Sequence, residues 1–214
     1  INPNYTSIKL ISKDRGLYLV SQNSNTSRTV YGIINKNERT VVYIEYEQIG
    51  INKNEFPANN IDNQYILFGK CIPVKRSNKW GLLDLNGNTI ASLEFDGFGC
   101  YTNSSKNNQA NGLVIIPEYE AIVVKKDNLY GLYNSSGKEL ILPLVTDMYV
   151  INNSGENKYY LTYQGNTMNV IEYLQNVLGL EPVVNNENDT KNQKNNNENS
   201  NDGNNIVDKA NNEQ

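Results

Sequence analysis

Lys79-Trp80-Gly81-Leu82-Leu83-Asp84-Leu85-Asn86-Gly87-Asn88 reads as a strand running into a tight turn. Residues 80–85 are extended and apolar-rich, and successive side chains of a strand point to opposite faces. Trp80 and Leu82 therefore share one face, and Leu83 and Leu85 the other. Gly81 leaves a gap that lets a neighbouring backbone or ring approach closely. Asp84 is placed to accept backbone N–H bonds from the turn that follows. Asn86-Gly87 is a hairpin signal, because both residues tolerate positive φ. A return strand over roughly Thr89 to Phe95 completes the hairpin.

The same pattern stands on either side of this stretch. Tyr31-Gly32-Ile33-Ile34-Asn35 precedes it and Tyr130-Gly131-Leu132-Tyr133-Asn134 follows it. From 31 to 80 is 49 residues, and from 80 to 130 is 50. In the third copy Ser136-Gly137 takes the turn; in the first it is Asn37-Glu38, without glycine. Lead-in strands are read at Leu17–Val20, Cys71–Lys75 and Ala121–Lys125. Each unit is then at least a three-stranded antiparallel meander. An aromatic-acid element closes the return strands, with Glu47, Asp96 and Asp147 read as its recurring acids.

Val74-Lys75, followed by Lys79-Trp80-Gly81-Leu82-Leu83-Asp84 and Gly87, resembles the WG-repeat (KWG) family. The resemblance covers roughly residues 16–150. Only the middle copy carries Trp; Tyr31 and Tyr130 stand in its place elsewhere, and the spacing is longer than the family's usual one. The resemblance implies a repetitive β-structure, common in bacterial proteins, with no general catalytic activity. It carries over no functional residue. Tyr31, Gly32, Trp80, Gly81, Asp84, Gly87, Tyr130, Gly131 and Gly137 are expected to be structural. The expected fold is all-β: an open or partly closed array of antiparallel hairpin meanders, with a β-propeller as the alternative.

After Gly165 the period changes. Val170, Ile171, Leu174, Val177 and Leu178 mark one face of a helix, with Asn169 as N-cap and Gly179 at the C-terminal turn. This helix is expected to cover the open end of the array; a fourth, decayed hairpin is the alternative. From Glu181 onward the only apolar residues are Val183, Val184, Ile206, Val207 and Ala210. Such a segment buries too little to offset the entropy of ordering it. Residues 1–180 are thus read as the folded domain and 181–214 as a disordered, Asn-rich tail.

Composition narrows the function. The tail holds seven acids against three bases, which accounts for the whole net charge of −4 and leaves the body neutral. A neutral body gives no global attraction to nucleic acid or to an anionic membrane. No apolar stretch is long enough for a transmembrane helix. There is no His, so the commonest general base and metal ligand are missing. Cys71 and Cys100 fit no zinc spacing; a disulfide and two buried free thiols are both open readings. Asp84–Asn88 has oxygen donors around a glycine, but a hairpin turn accounts for it better than a calcium loop. No cofactor is expected.

The leading expectation is a non-catalytic domain that binds a protein or a glycan. The 15 Tyr supply amphipathic contact surface for it. An exported or cell-surface setting stands ahead of a cytoplasmic one. A structural spacer of a larger envelope or secreted protein, with the tail as linker, is the second reading. An enzyme is the third: Glu45/Glu47 and Glu118/Glu120 lie two apart on expected strands, each pair on one face, which does not place carboxyls on opposite sides of a substrate bond.

Overall fold

The computed structural model describes residues 4–25, 28–51, 67–102, 115–153 and 156–183. The chain divides into a compact unit, Ile1–Pro182, and a second unit, Val183–Gln214. The segment read as a tail falls, from Val184 on, outside the described residues.

Four sheets follow one another along the chain. The first is β1 (Ser7–Ser12), β2 (Leu17–Asn23), β3 (Thr29–Asn35) and β4 (Thr40–Tyr46) in that order. The second is β5 (Gln48–Ile49), β6 (Cys71–Arg76), β7 (Lys79–Asp84) and β8 (Thr89–Phe95). In the third, β9 (Gly97–Phe98) and β11 (Ile115–Ile116) both pair with β12 (Ala121–Lys126), which continues to β13 (Leu129–Asn134) and β14 (Glu139–Val145). The fourth orders β10 (Tyr101–Thr102), β15 (Asp147–Asn153), β16 (Glu156–Tyr163) and β17 (Asn166–Asn169). Neighbours are antiparallel except β10, which runs parallel to β15.

Sheet and sequence repeat are out of phase. The chain leaves each return strand and within two residues enters the next sheet: β4 into β5, β8 into β9, β14 into β15. The linkers Glu47, Asp96 and Thr146 each donate a backbone N–H to the neighbouring strand of the sheet being entered, β6, β12 and β16, at Lys75, Lys125 and Thr162. Thr146, not Asp147, is therefore the third member of the acid series. The bulge in each return strand shifts the register.

Three cores lie between consecutive sheets, and among the described residues none joins the first sheet to the fourth. The stack is open, as expected, and the propeller alternative fails. Alternation builds it. Ile72, Val74 and Leu83 point back to the first sheet, while Cys71, Trp80 and Leu82 point forward to the third. With both faces covered, the middle sheets carry near-continuous apolar strands.

The helix is present as α1 (Val170–Glu172), continued by a π-turn over Tyr173–Val177. The Asn169 carboxamide accepts N–H bonds from Ile171 at 2.8 Å and Glu172 at 3.3 Å. Gly179, at φ +63°, ends it. The helix does not cover the outer face of the last sheet. Val170 and Leu174 are buried in the core between the third and fourth sheets. The fourth-hairpin reading also holds in part, because β16 and β17 form one, and α1 takes the place of its return strand.

Candidate functional site

The motif residues come together as inter-repeat packing. Trp80 is 4% exposed and meets Phe98 of the next sheet edge-on, with ring centroids 5.0 Å apart. Tyr130 is also buried, and Tyr31 is half-buried against the first core. The Lys75 ammonium lies 5.6 Å from the Trp80 ring centroid, and the Lys125 ammonium lies 5.6 Å from that of Tyr130. Such contacts contribute on the order of 0.5–1 kcal/mol where water reaches them.

The paired glycine has a different task. Trp80 pairs with Phe95 and Leu82 with Ala91, so three residues of β8 bulge across Gly81. A Cβ on Gly81 would lie 2.8 Å from the Ala91 carbonyl oxygen. Gly131 faces Ile141 O at 2.7 Å and Gly32 faces Val42 O at 2.8 Å in the same way. The gap expected at Gly81 admits backbone.

Asp84 closes its turn as expected, and Asn35 and Asn134 do the same. Asp84 Oδ1 accepts from Asn86 N and Asn88 N at 2.8 Å each. Asn35 accepts from Asn37 and Arg39, and Asn134 from Ser136 and Lys138. Only one turn residue has positive φ: Gly87 at +86°, Gly137 at +84° and Glu38 at +58°. Asn86 does not, so the turn is a type I turn with a following left-handed residue, set by the Asp84 carboxylate. A Cβ on Gly87 would run into the Val41 carbonyl of the first sheet, and one on Gly137 would lie 2.7 Å from Ile90 Cδ1. Glu38, exposed in the first repeat, keeps its side chain.

The acids are held by the repeat. Glu47 accepts the Ser77 N–H at 3.1 Å, and Asp96 accepts the Asp127 N–H at 2.7 Å. Each acid thus holds the two-residue turn of the following hairpin, whose residues, Ser77-Asn78 and Asp127-Asn128, all have positive φ. The Lys79 hydrogen bond first, then the Asp127 N–H, holds the Asp96 carboxyl below its ordinary range. Glu45 pairs with Arg76 at 2.6 Å and Glu94 with Lys126 at 2.5 Å. Glu118 and Glu120 are not on a strand: Pro117–Tyr119 is a 3-10 turn and Glu120 is left-handed, its carboxylate bonded by the Ser135 hydroxyl. Cys71 and Cys100 form no disulfide and are buried in separate cores. Burial, then the Asp84 charge, pushes the Cys71 thiol up to about 11, which keeps it protonated. Among the described residues no three His, Cys, Asp or Glu side chains gather to hold a metal.

Against this geometry, the model of the WG containing repeat matches residues 31–65 and 80–104. These two stretches are WG repeats. A comparison with curated proteins found no match. The matched residues do not reach Tyr130–Val145, yet that segment repeats the lysine contact on the ring, the bulge across the glycine and the side-chain-closed turn. Among the described residues no helix is long and apolar enough to cross a membrane.

Among the described residues, the outer face of the fourth sheet takes no part in the packing between repeats. The outer face of the fourth sheet presents Tyr101, Tyr149 and Tyr160, one from each of three adjacent strands. Their rings stack at 6.0 Å and 5.3 Å, with planes 23° and 20° apart. The three rings are half-buried. The Tyr101 hydroxyl donates to Asp147. Burial first, and then the Asp147 charge, raises the Tyr149 pKa, so its hydroxyl stays neutral and able to donate. At Thr167 and Asn169 this face is polar where Trp80 and Leu82 stand in the second sheet. Among the described residues no fifth sheet stacks on it. The sequence signalled it only as a surplus of tyrosine; Tyr149 and Tyr160 come into register through a hairpin that lacks the WG pair.

Proposed function

We propose that the chain is a non-catalytic recognition domain whose stacked repeats serve as scaffold, and whose outer fourth-sheet face contacts a protein or a glycan. The observation that carries this reading is the Tyr101-Tyr149-Tyr160 ladder on a face that no core uses. Stacked, half-buried rings combine apolar flanks with hydrogen-bonding tips, the chemistry that lets tyrosine dominate recognition surfaces. The lack of catalysis is supported by the acids. Glu45, Glu47, Glu94 and Asp96 each serve an inter-repeat bond. The test is affinity capture and glycan-array binding with the full chain and with a Tyr149→Ser, Tyr160→Ser variant. Binding to a protein or glycan, lost in a variant that still folds, supports the reading. Binding that survives the double substitution takes recognition off the tyrosine face, and none by the wild type leaves the spacer reading in its place.

A further inference from the structure

Among the described residues the fourth sheet has no return strand. In the first three sheets the third strand pairs with a return strand, through Tyr31 with Tyr46, Trp80 with Phe95 and Tyr130 with Val145. β17 is the counterpart of these third strands, and it pairs with β16 alone. At the first interface Leu93 of the return strand, with Leu85 of the turn before it, fills space over the preceding sheet. At the last interface neither counterpart exists, because the chain turns into α1 at Val170. Helix residues fill that space only in part.

What remains is a groove of about 300 Å³, lined among others by Leu142, Leu144, Leu161, Tyr163, Tyr173 and Leu178. It is apolar and open: Leu142 is 54% exposed, Leu144 50% and Leu178 38%. The contrast with the other repeats is specific. Leu142 and Leu144 occupy the positions of Ser92 and Glu94 in β8, and of Tyr43 and Glu45 in β4. Glu45 and Glu94 there make the ion pairs with Arg76 and Lys126. Tyr163 is the register counterpart of those bases, so an apolar Leu144-Tyr163 pair replaces the ion pair beside the missing strand.

We propose that this groove receives an extended segment of a partner protein, carrying the alternating apolar pattern of a return strand. Its backbone pairs with the free edge of β17, and its apolar side chains enter the groove. Strand addition of this kind draws affinity from main-chain hydrogen bonds and specificity from pockets for alternate side chains. The occupant's chemistry follows from continuity with the three interfaces already present, where strands such as Thr89-Ile90-Ala91-Ser92-Leu93-Glu94-Phe95 fill the corresponding place. The site lies on the inner side of the fourth sheet, apart from the tyrosine face, so it stands or falls independently of that surface.

The test uses the full chain and a fluorescent peptide copying Asn88–Asp96, followed by anisotropy. Saturable binding is expected, weakened at least tenfold by Leu144→Glu and by Leu142→Ser, residues the second repeat carries at these positions. N-methylation of alternate peptide amides is expected to weaken it by a similar factor. No saturable binding overturns the proposal, as does equal binding of a scrambled peptide or of the N-methylated one. A dimer of the chain that Leu144→Glu converts to monomer assigns the groove to a second copy instead. Peptide binding that strengthens tenfold on truncation after Pro182 assigns it to the chain's own C-terminal segment.

Discussion

The second and fourth sheets share a hairpin but not a motif. β6 and β7 turn through Ser77-Asn78, and β16 and β17 turn through Gln164-Gly165, with positive φ at all four residues. In the second, Trp80-Gly81 follows the turn; in the fourth, the matching residues are Thr167-Met168. The hairpin forms in both, so the aromatic-glycine pair is not what makes it. Trp80 fills a core against a following sheet, which the fourth sheet lacks among the described residues. Gly81 makes room for a bulged return strand, which the fourth sheet also lacks. Each half of the pair therefore marks a neighbour. The first repeat extends the rule: Glu38 stands where Gly87 and Gly137 are pressed by the sheet before them.

Removing the ring should separate the two sheets most sharply. Trp80→Ala is expected to cost about 3–5 kcal/mol, while Thr167→Ala stays within about 0.5 kcal/mol, both read from urea unfolding. Similar losses at both sites would break the comparison. The turn positions come next. Gly87→Glu is expected to lose about 1–3 kcal/mol through the clash with Val41. Glu38→Gly should instead gain up to about 1 kcal/mol, by relieving a left-handed side chain. A loss on Glu38→Gly would show that the first turn is packed like the others.

Acid sensitivity sharpens the comparison further. Burial opposes ionisation of Asp84, but the Asn88 and Asn86 hydrogen bonds outweigh it and lower its pKa. Asp96 is lowered too, chiefly by Lys79. A carboxyl with a depressed folded pKa contributes stability above its unfolded value of about 3.9, and that contribution is lost as pH falls through the folded value. The melting temperature should therefore fall between about pH 5 and pH 2. The fall should be smaller in an Asp84→Asn, Asp96→Asn variant. Asparagine already closes the matching turns at Asn35 and Asn134, so the fold tolerates the first change. An unchanged acid limb would show that these carboxyls do not couple to folding. The smallest effect is expected from truncation after Pro182, which should move the melting temperature by no more than a degree or two (about 1 kcal/mol or less).

Local features were legible in the sequence. The two faces of Lys79–Leu85, the gap at Gly81, the turn held by Asp84 and the Asn169 cap each depend on residues a few positions apart. What required the structure was non-local. Ser77-Asn78 and Asp127-Asn128 form tight turns without glycine, because Glu47 and Asp96 reach from the previous sheet to hold their N–H groups. The third place in the acid series was legible too: sixteen residues on from Tyr31, Trp80 and Tyr130 stand Glu47, Asp96 and Thr146, so Asp147 is one place out of step with the other two. The helix was foreseen, but its place inside the last core was not; Val170, which continues the inward-facing pattern of β17, was the available signal. The groove had a signal as well, in Leu142 and Leu144 standing where Ser92 and Glu94 stand one repeat earlier.

The overlap between sheets has a consequence for how such a chain changes length. Since the second, third and fourth sheets each take a strand from the unit before them, duplication or loss of one 49- or 50-residue period, with breakpoints anywhere in the unit, would rejoin matching halves. No breakpoint within the period leaves an orphaned half-sheet. Within the described residues, Glu38 with its tolerated side chain and the polar Thr167-Asn169 face are the two places where that continuity is not used.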